Sequence, residues 1–465
     1  MRPYAVSAFL SALCVSAFSV AQAQSTAAGP IAATYQATAD KIIHAALSDS
    51  SAWNRLALMT DTFGNRLSGS VALERTIDWV LAEMKKDGLA NARTEPVMVP
   101  HWVRGAESAE LVSPRAKPLP MLGLGGSVGT PKKGITAEVL VATSFDDLKA
   151  KAASAKGKIV LWDVPFTNYG ATVAYRWAGA SAAAKAGAVA SLVRSVGPAS
   201  IASPHTGAMG YDTSAAKIPT AAITVEDAMM LHRMADRGEK VVVHLSMEAH
   251  TLPDAPSRNV MSELVGREHP EEVVVLGGHI DSWDVGQGAM DDGDGLVVSW
   301  EAVRLLKRLG LTPRRTIRVV GWTNEENGTR GGIAYADARG ADVARHVLAM
   351  ESDGGTFRPI GFDFVGSDSA YAVLRQVSAL LASIQADSLE KGGGEADIGP
   401  LMERGVPGMG LRTDPEKYFW YHHTNGDTMD KLDPADMARC VATMAVMAYV
   451  VADLPDPLPR GAPPK

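Results

Sequence analysis

Four short strings in the second half of the chain carry imidazoles and carboxylates in an order that suits divalent cations. GGHIDSWDVGQGAMDDGDG (277–295) holds His279 and Asp291, and WTNEENG (322–328) holds Glu325 and Glu326. MESDGG (350–355) holds Asp353, and YHHTNGDTM (421–429) holds His422 and His423. His279, Asp291, Glu326, Asp353 and one histidine of the 422–423 pair make two imidazoles and three carboxylates. Such a set can hold two divalent cations when one carboxylate is shared. Asp291 is the natural bridge, because its Gly-rich surroundings let the backbone fold around it. His279 and Asp353 would complete one cation site, and Glu326 with a histidine the other. Glu325 stands beside Glu326, where a general base for metal-activated water is needed, to take a proton and return it to a leaving amine. Asp281 is placed to accept the second N–H of His279 and orient the ring, with a solvated turn acid as the alternative. Adjacent histidines in an extended loop point apart, so one of His422 and His423 ligates, and the residues alone do not choose.

Singly, each of these residues has an ordinary structural reading: a strand end, a turn, a solvated acid. Together they do not, because clustered buried carboxylates cost several kcal/mol each unless cations neutralise them. The string G-x-S-x-G occurs only as GGSVG (125–129), in a stretch read as a loop rather than a strand-to-helix elbow, and no H-E-x-x-H is present, which argues against a serine hydrolase and a one-zinc thermolysin-like protease.

The elements that precede the ligands explain how they would meet. EEVVVLGGH, TIRVVGWTNEE and VLAMESD are apolar runs of the kind buried parallel strands show, and each ends on a candidate ligand. Sites in open α/β sheets form outside the carboxyl ends of the strands. From about 255 onward strands alternate with helices such as GLVVSWEAVRLLKRLG, closed by Gly310, and the last long helix is PADMARCVATMAVMAYVVADL. Residues 30 to 110 read mainly as helix, with Gly88 as an end signal. Between 115 and 250 short β-rich runs (AEVLVAT, GKIVLWDV, KVVVHLSME) carry no ligand cluster and read as an inserted domain. The stretch GLGGSVG (123–129) does not fit G-x-G-x-x-G and reads as a flexible loop.

Residues 1–23 read as a cleaved signal segment: Arg2, an apolar run, then AQA at 21–23. The expected arrangement is a signal peptide (1–23), catalytic residues 24–114 and 251–455, the insertion 115–250, and a flexible tail 456–465. The expected location is periplasmic or secreted, with no stable membrane anchor. After cleavage only Cys440 remains, within an apolar helical pattern, so no intrachain disulfide forms and a buried structural thiol is expected. A formal net charge of −7 and no long basic run argue against a nucleic-acid partner.

At GHIDSWDVGQGAMDDG, WTNEE, MESDGGTF and YFWYHHTNGDTM the chain resembles the co-catalytic dizinc exopeptidases, the family that includes bacterial leucyl aminopeptidase and glutamate carboxypeptidase. PHWVRG, SPHTG and KIPTAAITVEDA extend the likeness through the middle of the chain. The resemblance implies an α/β fold with a mostly parallel mixed sheet flanked by helices and an inserted β-rich protease-associated domain. It implies metal ligands at His279, Asp291, Glu326, Asp353 and His423, Glu325 as base, and a cis peptide between Asp291 and Asp292. It further implies two Zn2+ per chain, with Mn or Co possible, a homodimer, and hydrolysis of dipeptides or short peptides by a dipeptidase or carboxypeptidase. An aminopeptidase of the same family is the alternative, and a non-catalytic binding protein on this scaffold is a weaker one. A single-zinc glutaminyl-cyclase-like enzyme is disfavoured, since both histidines and Asp291 are in place. Asp294 departs from the family pattern, where a small residue is expected, and would add negative charge near the metals. Asp397 is a further candidate, as an orienter, a partner for a substrate ammonium, or a helix N-cap. Tyr421 is a candidate oxyanion stabiliser or, with Trp420, a pocket wall.

Overall fold

The computed structural model describes residues 29–198 and 201–461. The expected signal segment, 1–23, lies outside the described residues. Eight strands make the central sheet: β1 (Ala90–Val103), β2 (His250–Leu264), β3 (His269–His279), β4 (Arg315–Trp322), β5 (His346–Glu351), β6 (Pro359–Val365), β7 (Ser388–Lys391) and β8 (Gly408–Thr413). Their order is β1-β2-β4-β3-β5-β8-β6-β7. The middle of the sheet is parallel: β3 pairs in parallel with β4 and β5, and β5 with β8. The β1–β2, β2–β4 and β6–β8 pairings are antiparallel. This is the mostly parallel mixed sheet that the resemblance implies, with parallel strands where the apolar runs predict them.

Helices close both faces. Pro30–Leu47, Ser51–Phe63, Asp294–Arg308 and Pro434–Asp453 join one large apolar core with β3, β4 and β5. Pro434–Asp453 begins on a cap in which the Asp433 carboxylate accepts the Ala435 and Asp436 N–H groups. It is long and apolar enough to cross a membrane, but 83% of that stretch is buried in the core, which explains its composition. Cys440 lies on this helix, buried, with Sγ 3.3 Å from the Phe357 carbonyl, as the sequence pattern predicts.

Between β1 and β2 the chain forms a second eight-stranded sheet. Its order is Lys117–Leu119, Glu107–Ser113, Val242–Met247, Ile135–Ala142, Ile159–Trp162, Ala190–Arg194, Thr220–Ile223, Met121–Gly123. Its core is not sealed off. Leu67, Trp283 and Val285, from the segments that build the central site, pack among Leu122, Leu192 and Ile223.

Two sequence expectations need correction. The stretch 123–129 is fastened rather than loose: Gly125 donates to the Gly207 carbonyl and accepts from the Met209 N–H. The segment 456–461 is docked on the central layer. Leu458 is buried, Ser367 Oγ donates to the Pro459 carbonyl at 2.7 Å, and Arg460 donates to the Val343 and His346 carbonyls at 2.7 and 2.5 Å. A Pro-rich composition reads as disorder, yet one buried Leu and satisfied carbonyls hold the segment down.

Candidate metal centre

The parallel strands end at one edge and deliver the chemistry there. His279 is the last residue of β3, Glu325 and Glu326 follow β4, and Asp353 follows β5. A Cβ at Gly277 would fall 2.0 Å from the Val320 carbonyl oxygen, so only glycine lets β3 lie this close to β4. Asp291 sits in the turn Ala289–Gly293, and the Asp291–Asp292 peptide is cis. Neighbours grip this turn from both sides. The Asp427 carboxylate accepts the Ala289 and Met290 N–H groups at 3.0 and 2.7 Å. The Asp292 carboxylate accepts the His279 N–H at 2.9 Å and the Gly295 N–H at 3.2 Å.

The side chains so delivered converge on Asp291. His279 Nε2 lies 3.2 Å from Asp291 Oδ1 and 3.4 Å from Asp353 Oδ1. His423 Nε2 lies 3.3 Å from Asp291 Oδ2 and 3.1 Å from Glu326 Oε2. Donor atoms of His279, Asp291 and Glu326 lie within 4.8 Å of one another, as do those of Asp291, His422 and His423, and those of His279, Asp292 and Asp353. His279 Nε2, Asp291 Oδ2 and Asp353 Oδ1 are buried and have no hydrogen-bond partner. Lone pairs facing one another in a dry pocket repel unless cations or protons lie between them. A mixed imidazole–carboxylate set is what zinc takes, so the residues fit the metal the resemblance implies.

The electrostatics agree. Burial, opposed by His279 and reinforced by the charges of Asp353, Asp281 and Asp291, pushes Glu325 up to about 8. Burial and Asp291 raise Glu326 well above the usual carboxylate range. Asp291 goes the other way: burial raises it, but the facing imidazoles of His279 and His423 outweigh that and hold it well below. Divalent cations among these donors would draw the acids back to their charged forms.

Several readings change once the side chains are placed. His422 and His423 do not point apart. Their rings stack with centroids 3.5 Å apart, and His422 Nε2 also approaches Asp291 Oδ2, at 3.6 Å. The premise of an extended loop fails because His423 sits at φ 62°, which folds both rings to one side. Only His423 also reaches Glu326. Asp281 orients His279 through its backbone carbonyl, 2.9 Å from Nδ1, while its carboxylate stands 3.8 Å from that atom. The carboxylate instead accepts the Glu325 N–H at 3.1 Å and the Ser68 hydroxyl at 3.3 Å, so it holds the candidate base. Asn324 makes the turn to Glu325 at φ 68°, a conformation asparagine tolerates, and also donates to Ser68 Oγ.

Asp294 is turned onto Thr356, accepting its N–H at 2.7 Å and its hydroxyl at 2.8 Å. Burial holds its carboxyl well above the usual range, against the pull of those two bonds. Asp397 does not cap the helix Gly399–Met402, which has no side-chain cap. Both its carboxylate oxygens are buried without partners, and its N–H donates to Glu351 at 3.1 Å. Burial, and then the charge of Glu325, raise Asp397 well above the usual range. Tyr421 packs on the main core with the Lys431 ammonium 5.4 Å from its ring, which supports a wall rather than an oxyanion donor.

Three residues matter here that sequence reasoning missed. Arg66, fully buried, donates to the carbonyls of Gly64, Ile280, Gln287 and Gly288, and so fixes the stretch that leads to Asp291. Thr206 and Arg176 come from the segment that builds the second sheet, Thr206 from a loop and Arg176 from a helix. The Thr206 N–H donates to the His423 carbonyl at 2.9 Å, and the Thr206 carbonyl lies 3.3 Å from His423 Nδ1. Arg176 donates to the Thr206 and Ala208 carbonyls and to Tyr169 Oη, with Nη1 3.4 Å from His423 Nδ1. The quoted string SPHTG held Thr206, but nothing local says that it meets a histidine 217 residues away.

Comparison with known proteins points the same way. Residues 259–448 match Peptidase family M28. The chain is 51% identical to carboxypeptidase Q of Xenopus laevis, over 92% of each chain. It is 50% identical to carboxypeptidase Q of Homo sapiens, over 88% of this chain and 86% of that one. A crystal structure of a peptidase M28 precursor from Shewanella amazonensis superposes with a TM-score of 0.89 at 35% identity, covering 92% of this chain and 99% of that one.

Proposed function

The chain belongs to peptidase family M28 and, within it, to the carboxypeptidase Q group, and from that premise we propose an exported exopeptidase that takes two zinc ions and hydrolyses dipeptides or short peptides. The observation that carries the reading is the convergence of two imidazoles and three carboxylates on Asp291. His279 and Asp353 would hold one ion, Glu326 and His423 the other, and Asp291 both. When bound, the ions polarise the scissile carbonyl and make water a nucleophile near neutral pH.

The rest falls to the protein's own groups. The Glu325 carboxylate takes the proton from water and returns it to the leaving amine nitrogen. Asp281 steadies Glu325 through its backbone N–H. Asp427, Asp292 and Arg66 keep the Asp291 turn in place. The second sheet is read as a protease-associated-like domain that closes the site beside His423. The resemblance supports a homodimer, and the signal segment read at 1–23 supports a periplasmic or secreted location.

An aminopeptidase is the second reading, and one observation favours it. Acids dominate the site, and its two buried arginines, Arg66 and Arg176, are taken up by protein carbonyls and Tyr169. A substrate ammonium is thus better served than a substrate carboxylate.

Metal analysis and a panel of free, N-blocked and C-amidated dipeptides test the proposal. The expected result is two divalent ions per chain, turnover lost to a chelator and restored by zinc, and Glu325→Gln slowed about 100-fold or more with its metal retained. Equal cleavage of C-amidated peptides selects the aminopeptidase. Full activity of Glu325→Gln, or fewer than two ions in the active protein, would overturn the reading.

A further inference from the structure

Asp294 opens the helix Asp294–Arg308, where the resemblance predicts a small residue, and it is fully buried. One carboxylate oxygen, Oδ2, accepts both the N–H and the hydroxyl of Thr356, at 2.7 and 2.8 Å. The other, Oδ1, is buried without a partner. A buried acid with half its carboxylate unused costs stability, so packing alone gives no reason for it.

The reason lies in what it grips. Thr356 ends the loop that carries Asp353, whose Oδ1 lies 3.4 Å from His279 Nε2. Only Gly354 and Gly355 separate Asp353 from Thr356, and glycines leave the backbone freer than other residues do. The other end of the loop rests on the same helical turn: a Cβ at Gly295 would fall 1.9 Å from the Ser352 carbonyl oxygen. Consecutive residues, Asp294 and Gly295, thus meet the two ends of the loop. That helical turn also continues directly from the Ala289–Gly293 turn, with Asp291 three residues before Asp294.

We propose that Asp294 is a positioning residue of the metal centre: by clasping Thr356 it sets the spacing between Asp291 and Asp353, the two carboxylates that would share one ion with His279. This role presupposes the two-ion reading above. It concerns the His279–Asp353 ion and leaves the Glu326–His423 ion to its own supports.

The test is stepwise removal of zinc from the loaded protein by a calibrated chelator, with thermal unfolding of the metal-free protein alongside. Asp294→Ala is expected to weaken one of the two zinc steps about tenfold or more and to leave the other in place. The metal-free variant is expected to melt no lower than the wild type, since a costly buried acid has gone. Asp294→Asn keeps an oxygen for Thr356 and should hold both ions nearly as the wild type does, which separates the clasp from the charge. Thr356→Val should weaken the same step, and adding it to Asp294→Ala should cost less than the two single losses combined. If the wild type holds two ions and Asp294→Ala moves neither step or both alike, or if Asp294→Asn falls as far as Asp294→Ala, this role is refuted and the two-ion reading stands. If the wild type holds fewer than two ions, both fail.

Discussion

Replacing Arg176 tests whether the helix and loop beside the second sheet serve the metal centre or only lean on it. Arg176 is 6% exposed and belongs to the helix Tyr169–Lys185. It touches no carboxylate of the site, but its fork ties the Thr206 and Ala208 carbonyls to Tyr169 Oη. The Thr206 carbonyl is the acceptor for Nδ1 of His423. Arg176→Met fills similar space, takes this donor from the Ala208 carbonyl and Tyr169 Oη, and leaves the Thr206 carbonyl with His423 Nδ1 alone, so the 205–209 loop loosens and the imidazole loses its fixed orientation. Loss of such an orienting partner weakens metal binding about 10- to 100-fold, or roughly 1.4 to 2.7 kcal/mol at about 1.36 kcal/mol per decade. The assay is zinc competition against a calibrated chelator, with thermal unfolding of the metal-free protein alongside. Arg176→Lys keeps the charge but not the fork and should fall between the two. A lowered melting temperature with unchanged zinc affinity would refute the reasoning, because it would leave Arg176 a packing residue alone.

His346 begins β5, at the end of the strand remote from the ligands, and burial followed by the charge of Arg318 pushes it from 6.5 down to about 4. The unfolded chain therefore binds the extra proton first, so stability is complete above pH 6.5 and is lost as pH falls toward 4. At pH 5 the loss is about 2 kcal/mol, and His346→Gln should show a shallower fall in melting temperature between pH 8 and 5 than the wild type; parallel curves would contradict this. Gly295→Ala puts a Cβ 1.9 Å from the Ser352 carbonyl oxygen. Because that neighbour is backbone, about 1–3 kcal/mol or more of stability should go. Unchanged soluble yield and melting temperature would show that the helix Asp294–Arg308 has room to shift.

The sequence made the site's address legible but not its interior. His279, Glu325, Glu326 and Asp353 could be placed at one sheet edge because apolar runs end where these residues begin, and strand direction is a local property. Asp281 was found as the acceptor for His279, but not which of its oxygens serves, because carbonyl and carboxylate of one residue are indistinguishable in a string. The His422–His423 geometry depends on one positive φ at a residue with no propensity signal strong enough to announce it. Arg66, Arg176 and Thr206 were invisible for another reason: their partners are backbone carbonyls of distant segments, and a carbonyl has no letter. Asp294 looked like an added charge facing the cluster because its partner, Thr356, lies 62 residues away in the chain.

The two contacts of the Thr206 backbone, with the carbonyl and with the ring of His423, make the loop at 203–207 a splint for a residue distant in the chain and on no shared strand. A protease cut near that loop, or a chimera that exchanges the middle of the chain with a distant relative, would leave every donor atom in place. Its cost would appear as slower metal retention and a blurred coordination geometry. Transplants of the centre into another scaffold therefore have to carry this splint with them.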